Sequence, residues 1–457
     1  MFNPQDLTQS LPLMLLLAGG LLLMLLDALK QRSALPALTA VILALSAILS
    51  IPGIIHGREI ILSYHKMIGF GGLAGMIHIY LCLSGLFSVF FIQDYFRRHH
   101  KDIGEVYSLL LFSIIGMVML ANANDLLVLF VGLEVMSVCL YIMAGMFKTD
   151  VKSNESGMKY FLLGAFATGF LLYGISMIYG ITGSTQMDAI QAMDIQTIRQ
   201  NVLFYPAFGL ILIGFFFKIA AFPFHSWTPD VYEGTPTPLT GFMATGSKMA
   251  AFIALSFFLR KLIPSQDDKI VTLVSVLALA SMLYGNIVAA QQTSIKRMLA
   301  YSSIAHTGYL LLGILAGPKG YLSVIFYMVT YTLMTVGAFG IISMVENQDG
   351  DTDFERWKGI GIKYPALGVA MSTFLFSLAG MPPLAGFWGK YHVFTESVGA
   401  GFVMVSALGI LTSVIGAYYY LRVIVFMYFK KPESETSSVS YQGGFSAPMI
   451  VAYVLVL

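Results

Sequence analysis

The sequence predicts an all-α polytopic membrane protein with about fourteen transmembrane helices, the last of which is incomplete. Two observations predict this fold class. Hydrophobic residues make up 57% of the 457-residue chain and charged residues only 11%, whereas soluble domains contain about 25% charged residues. The apolar residues also gather in stretches of roughly 20, which is the length a helix needs to cross a bilayer. A chain with so little charge cannot cover a water-exposed surface, so we expect it to lie in a lipid bilayer.

Thirteen apolar stretches are long enough to be transmembrane helices. They occupy residues 11–29, 34–53, 69–93, 105–122, 125–147, 157–180, 202–222, 239–259, 270–290, 299–316, 321–345, 365–396 and 402–429. A fourteenth stretch begins at Ala447, but only eleven residues remain before the sequence ends at Leu457. Eleven residues cannot span a bilayer, so we expect the natural chain to continue.

The charges of the connections predict the orientation, because Lys and Arg collect in cytoplasmic loops. When the connections are numbered alternately, one set holds fourteen Lys and Arg residues and the other set holds seven. The richer set should be cytoplasmic. This predicts a periplasmic N-terminus for a multi-pass protein of the bacterial inner membrane.

The composition gives no sign of a cofactor, a metal ion or a nucleic acid bound by this chain. The two cysteines, Cys82 and Cys139, both lie in apolar stretches, and the sequence contains no CxxC motif or His/Cys cluster. Iron–sulfur and zinc sites need such clusters. No glycine-rich nucleotide loop follows a strand, and the net charge is only +2. We therefore expect no redox chemistry in the chain itself.

Several ionisable side chains interrupt the apolar stretches. Each one costs about 2.5–3.5 kcal/mol at the bilayer centre on insertion scales, so such residues normally face a polar interior or serve a function. The group consists of Glu134, Lys159, Lys218, Lys248, His306, Lys390 and Arg422.

Glu134, Lys218 and Lys248 lie deepest in their predicted helices. Glu134 stands nine residues after Asp125, and Lys218 directly follows three phenylalanines. Buried Lys and Glu side chains can exchange protons with water chains near neutral pH. We interpret these three residues as proton carriers. The alternative is a static pair or hydrogen bond that docks one helix on another.

Lys390 and His306 are the remaining candidates for proton transfer. Lys390 lies in a long, broken stretch, where extension of the side chain to the interface is the alternative. His306 follows Ser302 and Ser303, whose hydroxyls can hold water, and the alternative is a hydrogen-bonded core histidine. For Lys159, extension to the cytoplasmic face explains its position as well as function does.

Two predicted helices are broken by proline, which removes a backbone donor and interrupts the helix. One break lies at residues 222–225, just after Lys218, and the other lies at 380–383, just before Lys390. They fall in the seventh and twelfth stretches. Because an offset of five is odd, the second copy must be inverted relative to the first. Inverted repeats with discontinuous helices are an architecture of ion transporters.

Four motifs make the chain resemble a known family, and the resemblance covers almost the whole chain. They are LEVMS around Glu134, KIAAFPFHSWTPDVYEGTPTP from Lys218, SIKRMLAYSSIAHTGY through His306, and AGMPPLAGFWGK ending at Lys390. The chain resembles the antiporter-like membrane subunits of respiratory complex I, which are relatives of the Mrp cation/proton antiporters. Within this family, the chain resembles the subunit N branch of bacterial NADH–quinone oxidoreductase in two features, Lys at position 390 and the absence of a long C-terminal extension.

The resemblance implies a domain organisation and a role for each candidate residue. Three leading helices would occupy residues 1–104, the first five-helix repeat 105–260, the second, inverted repeat 261–431, and a loop with the start of a last helix 432–457. Glu134 and Lys218 would form the first charged pair, with Lys248 as the central relay. His306 would connect Lys248 to Lys390, the terminal proton site.

The resemblance also implies partners. The chain would sit in the lipid bilayer beside other membrane-arm subunits, while NADH, FMN, iron–sulfur clusters and quinone would bind to partner subunits. Quinone reduction elsewhere would then drive protons through the buried Glu/Lys/His relay. Two alternatives remain open: an Mrp-type or hydrogenase-associated Na⁺/H⁺ antiporter subunit, and a purely structural scaffold of the membrane arm.

Overall fold

A computed structural model describes residues 4–55, 59–262, 267–346, 350–431 and 447–457. These residues are mainly helical. The helices are α1 (Pro4–Ala28), α2 (Leu35–Ile55), α3 (Gly72–Arg98), α4 (Glu105–Ala121), α5 (Leu126–Ala144), α6 (Val151–Thr182), α7 (Met187–Gln191), α8 (Ile195–Gln200), α9 (Phe204–Ile219), α10 (Trp227–Gly234), α11 (Thr237–Phe242), α12 (Lys248–Leu262), α13 (Asp268–Ala289), α14 (Ile295–Leu315), α15 (Gly317–Val345), α16 (Ile360–Lys363), α17 (Pro365–Ala379), α18 (Ala385–Gly399), α19 (Val403–Phe429) and α20 (Ala447–Val456).

Long apolar helices confirm the predicted fold class. Within the described ranges, ten helical segments are long and apolar enough to cross a membrane, and α4, α9 and α17 are shorter apolar helices. All thirteen predicted stretches coincide with helices. Large apolar side chains such as Phe166 and Met404 are more than 70% exposed, as a lipid-facing surface requires. The chain is a multi-pass membrane protein, while the count of fourteen spans stays a prediction. The predicted connection at 432–446 lies outside the described residues.

The chain forms two compact units. The first contains residues Met1–Gly145, Gly157–Ile219 and Gly246–Asp267, and the second contains Met146–Ser156, Ala220–Thr245 and Asp268–Leu457. In the first unit, α4 packs against α1, α3, α5 and α12. In the second, α15 packs against α11, α14, α17, α18 and α20, and α13 packs against α14 and α19.

Glycines allow two pairs of helices to touch backbone to backbone. A Cβ atom on Gly116 of α4 would lie 2.3 Å from the backbone nitrogen of Met136 in α5, and one on Gly132 would lie 2.5 Å from that of Leu120. In the second unit, Gly285 of α13 and Gly308 of α14 play the same part, with 2.5 Å to the nearest backbone atom in each case. No larger residue fits at these distances.

The N-terminus of α5 is fixed by a cap and a short backbone bridge. The carboxylate of Asp125 accepts a hydrogen bond from the N–H of Leu127 at 2.8 Å and another from the hydroxyl of Thr185 at 2.7 Å. The N–H of Leu126 donates to the carbonyl of Thr185 at 2.9 Å. Side-chain caps of this kind satisfy backbone donors that a helix leaves open at its start.

The N-terminus of α14 is fixed in the same way. The hydroxyl of Ser294 accepts from the N–H of Arg297 at 3.4 Å and shares a 2.9 Å hydrogen bond with the hydroxyl of Thr352. The N–H of Ile295 donates to the carbonyl of Thr352 at 3.1 Å. In both units, a threonine that follows one long helix (α6 or α15) thus holds the start of the long helix before it (α5 or α14).

Both predicted proline breaks are present. The helix of Lys218 ends at Ile219 and resumes as α10 at Trp227, while α17 ends at Ala379 and α18 begins at Ala385. Freed backbone groups find side-chain partners: the N–H of Phe222 donates to the hydroxyl of Ser281 at 2.9 Å. Broken helices are tolerated at membrane depth when their freed backbone groups meet such partners.

Two local features differ from the sequence prediction. A continuous helix was expected at 239–259, but a π-helical turn, Met243–Ser247, separates α11 from α12 directly before Lys248. Such turns insert an extra residue locally and have no hydropathy signature. A two-stranded antiparallel hairpin, Ile61–Ser63 with Ile68–Phe70, also lies between α2 and α3. Its strands are too short for a periodic pattern to reveal.

Replacing Gly116 with Ala should destabilise the protein, because the new Cβ would overlap the backbone of α5. Overpacking of this kind costs about 1–3 kcal/mol. Gly169 of α6 is the matched control, since a Cβ there meets nothing within 4 Å and Ala favours a helix by about 1 kcal/mol over Gly. Thermal unfolding of the purified protein tests this. Equal midpoints for Gly116→Ala and Gly169→Ala would contradict the backbone contact.

Candidate functional site

Lys218 is buried in the first unit, with 2% of its surface exposed. Its Nζ donates to the hydroxyl of Ser137 at 2.9 Å and to that of Tyr160 at 3.1 Å. The ring of Tyr141 lies 5.8 Å from the ammonium. Lys218 is the penultimate residue of α9, where unpaired carbonyls give the helix end a partial negative charge. The break after Ile219 therefore creates a favourable place for a cation inside the bilayer.

Glu134 lies on α5, three residues before Ser137. Its Oε1 atom is buried and has no hydrogen-bond partner among the described residues. No ion pair between described residues joins Glu134 to Lys218. The hydroxyl of Ser137, which contacts the ammonium, therefore lies on the same helical turn as the carboxylate. The Lys218 ammonium therefore binds a side chain one helical turn from the residue that carries the carboxylate.

Lys248 is also buried in the first unit, with 2% exposed. It begins α12 directly after the π-helical turn. A Cβ on Gly246 would lie 3.1 Å from the sulfur of Met117 and 3.5 Å from the hydroxyl of Ser84. Gly246 thus lets side chains of α3 and α4 approach the π-helical turn closely.

His306 lies in the core of the second unit, with both ring nitrogens bonded to phenols. Nδ1 shares a 2.5 Å hydrogen bond with Tyr327, and Nε2 shares a 3.1 Å hydrogen bond with Tyr420. The ring of Tyr331 lies 5.0 Å away. A neutral imidazole can donate through one nitrogen and accept through the other, so this geometry allows a proton to enter and leave by different phenols.

Lys390 lies at the second break and is 8% exposed. Its Nζ donates to the carbonyl of Ala379, the last residue of α17, at 3.0 Å and to the hydroxyl of Ser413 at 2.9 Å. Gly380 has φ +87°, and a Cβ there would lie 2.9 Å from the Cδ of Lys390. Only glycine allows both this turn and the close passage of the lysine side chain. Lys390 is thus bound at the C-terminal end of a half-helix.

Tyrosines and one asparagine connect His306 to Lys390, and the sequence interpretation missed them. Tyr420, which binds His306, packs against Tyr419 with ring centroids 4.5 Å apart. The side chain of Asn286 accepts from the hydroxyl of Tyr419 at 3.0 Å and donates to that of Tyr309 at 3.0 Å. The ammonium of Lys390 lies 5.3 Å from the centre of the Tyr309 ring. The only sequence signal was the spacing of three from His306 to Tyr309 and the run Tyr418–Tyr420.

Lys159 and Arg422 are less buried than the three central lysines. Lys159 is half-buried on α6, beside Tyr160. The guanidinium of Arg422 donates to the carbonyls of Ala290 and Gln292 at 3.2 Å each and lies 4.6 Å from the ring of Phe354. These contacts join α19 to the residues that follow α13.

Lys296 lies in the predicted connection between residues 290 and 299, where an exposed loop cation is expected, but it is buried. It lies in the first turn of α14 with 2% exposed, and its Nζ is 3.7 Å from Oε1 of Glu346. It also donates to the carbonyl of Thr235 at 2.9 Å. Next to it, Arg297 forms surface ion pairs with Asp230 and Glu233 at 2.9 and 2.8 Å. Hydropathy could not distinguish the buried Lys296 from the partly exposed Arg297, because the two residues are adjacent in sequence.

In the described part of the chain, no group of three or more His, Cys, Asp or Glu side chains is placed to hold a metal ion. Cys82 and Cys139 are buried and not paired in a disulfide. Lys218, His306 and Lys390 are held by hydroxyls, a carbonyl and aromatic rings, whereas Lys296 and Arg297 are held by carboxylates.

Comparison with known proteins identifies the family. Residues 123–416 match the family described as "NADH:quinone oxidoreductase/Mrp antiporter, TM". The NADH-quinone oxidoreductase subunit N of Salinibacter ruber is 43% identical over 410 residues, which cover 89% of this chain and 81% of the relative. The chain belongs to the subunit N family. The family resemblance seen in the four motifs is thereby confirmed.

A solved structure of respiratory complex I also resembles this chain. A chain of respiratory complex I from Thermus thermophilus with bound aureothin is 33% identical and superposes with a TM-score of 0.83, covering 97% of this chain and 96% of that one. A chain of the Mrp complex from Dietzia sp. DQ12-45-1b is 21% identical, with a TM-score of 0.83 over 95% of this chain and 82% of that one. The second likeness shows a shared fold.

Removing the hydroxyl of Tyr419 in this subunit N chain should destabilise it, because Asn286 then loses its buried donor. A buried group left unpaired costs about 1–3 kcal/mol. The neighbouring Tyr418 is 60% exposed, so Tyr418→Phe is a matched control with an expected effect within about 0.5 kcal/mol. The measurement is the thermal midpoint in detergent. If Tyr419→Phe melts at the wild-type temperature, the Asn286 bridge has no energetic role.

Proposed function

We propose that this subunit N chain translocates protons in the membrane arm of an NADH-quinone oxidoreductase. Partner subunits would bind NADH, FMN, iron–sulfur clusters and quinone and carry out the redox reaction. The observation that supports this proposal most directly is the kind of partner bound to Lys218 and Lys390. Both lysines are buried in apolar units, and both contact neutral oxygen atoms.

Neutral partners allow a lysine to change its protonation state in place. An ammonium donates to a hydroxyl, and a neutral amine can accept from the same hydroxyl after the O–H group turns. A lysine paired directly with a carboxylate lacks this freedom, since losing the proton would leave a buried carboxylate uncompensated. Lys218, held by Ser137 and Tyr160, is therefore suited to bind and release a proton.

Hydrogen bonds and one half-helix end offset part of the cost of burying these charges. Taking an ammonium from water into an apolar interior costs several kcal/mol. The C-terminal end of a helix returns up to about 2 kcal/mol in partly buried geometries. Lys390 uses this arrangement, since its ammonium binds the terminal carbonyl of α17. The ammonium of Lys218 is stabilised instead by its hydrogen bonds to Ser137 and Tyr160.

We propose that protons pass through the candidate residues in the order given by the family resemblance. Glu134 and Lys218 act first, and Ser137 is the group between them. Lys248 is the central relay. His306 follows, and the network of Tyr420, Tyr419, Asn286 and Tyr309 leads from it to Lys390 within the second unit. Each proton that arrives repels the next charge along the row, so release from Lys390 follows.

We further propose that residues 105–260 and 261–431 are two inverted repeats that follow the three leading helices of 1–104. The matching caps at Asp125 and Ser294, the matching bridges to Thr185 and Thr352, and the two glycine-mediated helix pairs support this division. The excess of Lys and Arg in one set of connections supports a periplasmic N-terminus in the bacterial inner membrane, beside other membrane-arm subunits.

The alternatives make different predictions. A Na⁺/H⁺ antiporter subunit would need several oxygen ligands around a cation, and transport by the purified complex would depend on sodium. A pure scaffold would tolerate the loss of any buried lysine that leaves assembly intact. Lys248→Ala is the sharpest case, because Lys248 is buried directly after a π-helical turn and lies at neither proline break.

Replacing Lys218 or Lys390 with Ala should lower the number of protons pumped per electron by the share that this subunit contributes. Quinone reduction and assembly of the complex should remain, because neither lysine is part of a buried ion pair. The measurement is proton uptake against NADH oxidation in vesicles containing the complex. Lys363→Ala is the control, because Lys363 is exposed. Assembled Lys218→Ala or Lys390→Ala complexes with the full ratio would refute the proposal.

A further inference from the structure

The second unit contains a set of buried hydroxyl groups with no hydrogen-bond partner among the described residues. They belong to Thr228, Tyr232 and Thr235 on the segment that follows the first break, and to Thr332 and Thr335 on α15. Buried polar groups are nearly always satisfied, either directly or through ordered water. Five such hydroxyls on two elements that pack together therefore indicate a hydrated route rather than a packing defect.

One end of this set is the buried pair of Lys296 and Glu346. Oε1 of the carboxylate lies 3.7 Å from the ammonium, and Oε2 accepts a hydrogen bond from the hydroxyl of Thr237. Lys296 also holds the carbonyl of Thr235. Arg297, the next residue along α14, has a side chain that is 32% exposed. The residue next to Lys296 is thus partly exposed, and the pair lies at the end of the unit where α14 begins.

The other end of the set is His306. The phenol of Tyr232 lies close to Ser303 and Tyr331, and that of Tyr331 lies close to Thr335. The ring of Tyr331 is 5.0 Å from the imidazole of His306.

The lengths of the two helices agree with a continuous route. From Lys296 to His306 α14 rises about 15 Å, and from Glu346 back to Thr335 α15 rises about 16 Å. Tyr232 contacts both helices. Its phenol lies close to Ser303 on α14, and its ring centroid is 6.4 Å from that of Phe339 on α15. Polar groups are therefore present at both ends of this distance, with Thr235 at the ion pair and Tyr331 and Thr335 near the imidazole.

We propose that these hydroxyls form a proton-access route from the Lys296–Glu346 pair to His306, and that the pair is its gate. The route deepens the proposed function, because it rests on His306 acting as a relay. In the closed state the ammonium and Thr237 occupy both oxygens of Glu346. A proton from solvent forms an O–H bond on the carboxylate and releases it from Lys296, which keeps its bond to Thr235.

The proton then moves from hydroxyl to hydroxyl towards His306. At each step one O–H bond breaks as the next one forms, so the hydroxyls end unchanged and the imidazole gains the proton. Glu346 returns to the carboxylate and pairs with Lys296 again. In the proposed orientation the pair faces the cytoplasm, so the route would supply protons to the second unit directly.

A structural role is the rival explanation. The same pair, together with the ion pairs of Arg297 with Asp230 and Glu233, holds the segment 227–242 against α14 and α15. A clamp of this kind depends on the charges and is indifferent to the hydroxyl of Thr335. The two explanations therefore differ in what they predict for Thr335→Val, which keeps the shape of the side chain and removes only the hydroxyl.

The test compares Thr335→Val and Glu346→Gln in the assembled complex, reconstituted in vesicles. Both variants should lower the ratio of protons pumped to electrons transferred to the value reached by Lys390→Ala, while quinone reduction continues. Thr373→Val is the control for the first, since Thr373 bonds only within its own helix, to Val369. Glu355→Gln is the control for the second, since Glu355 is an exposed partner of Lys358. Both controls should pump at the wild-type ratio.

The outcomes separate this inference from the proposed function. Thr335→Val with the wild-type ratio, beside Lys390→Ala with a lowered one, would overturn the route alone, and failed assembly of Glu346→Gln would then identify the pair as a clamp. Thr335→Val with a lowered ratio supports the route, and a wild-type ratio in Glu346→Gln would then overturn the gate. A wild-type ratio in Lys390→Ala would instead overturn the proposed function.

Discussion

The binding of a buried ammonium by the end of a broken helix is the interaction on which the rest of this structure depends. A bilayer offers no water to a charge, and each lysine in its interior must find oxygen atoms from the protein. The second proline break supplies one of them, because Lys390 binds the last carbonyl of α17. Lys218, at the end of α9, instead binds two hydroxyls from neighbouring helices. Without the second break, the carbonyl of Ala379 would be consumed by the helix.

Lys296 and the candidate carriers are all buried lysines, but they have different partners. All are buried, yet Lys296 faces the carboxylate of Glu346, whereas Lys218 and Lys390 face neutral oxygens. A direct ion pair fixes both charges, and breaking it requires a proton from elsewhere. A lysine among hydroxyls has no such requirement. The partner, rather than the depth of burial, distinguishes a fixed charge from a mobile one.

The sequence was sufficient for the helices, the breaks and the family, and insufficient for the contacts. Apolar length locates spans because the bilayer demands it, and proline locates breaks because it lacks a donor. The π-helical turn before Lys248 and the bridge through Asn286 leave no such mark, since both arise from packing between distant segments. Lys296 was misplaced for the same reason. Its burial depends on Glu346, fifty residues away, which no local pattern reveals.

The glycine contacts between α4 and α5, and between α13 and α14, have a consequence for the interpretation of natural variation. Every codon change away from glycine adds at least one carbon atom, and at Gly116, Gly132, Gly285 and Gly308 that atom would overlap a neighbouring backbone. These four positions are therefore points at which inherited missense changes damage the protein although they touch no ionisable group. A relative with a larger residue at one of them must have moved two helix axes apart, and its interior must be rearranged to match.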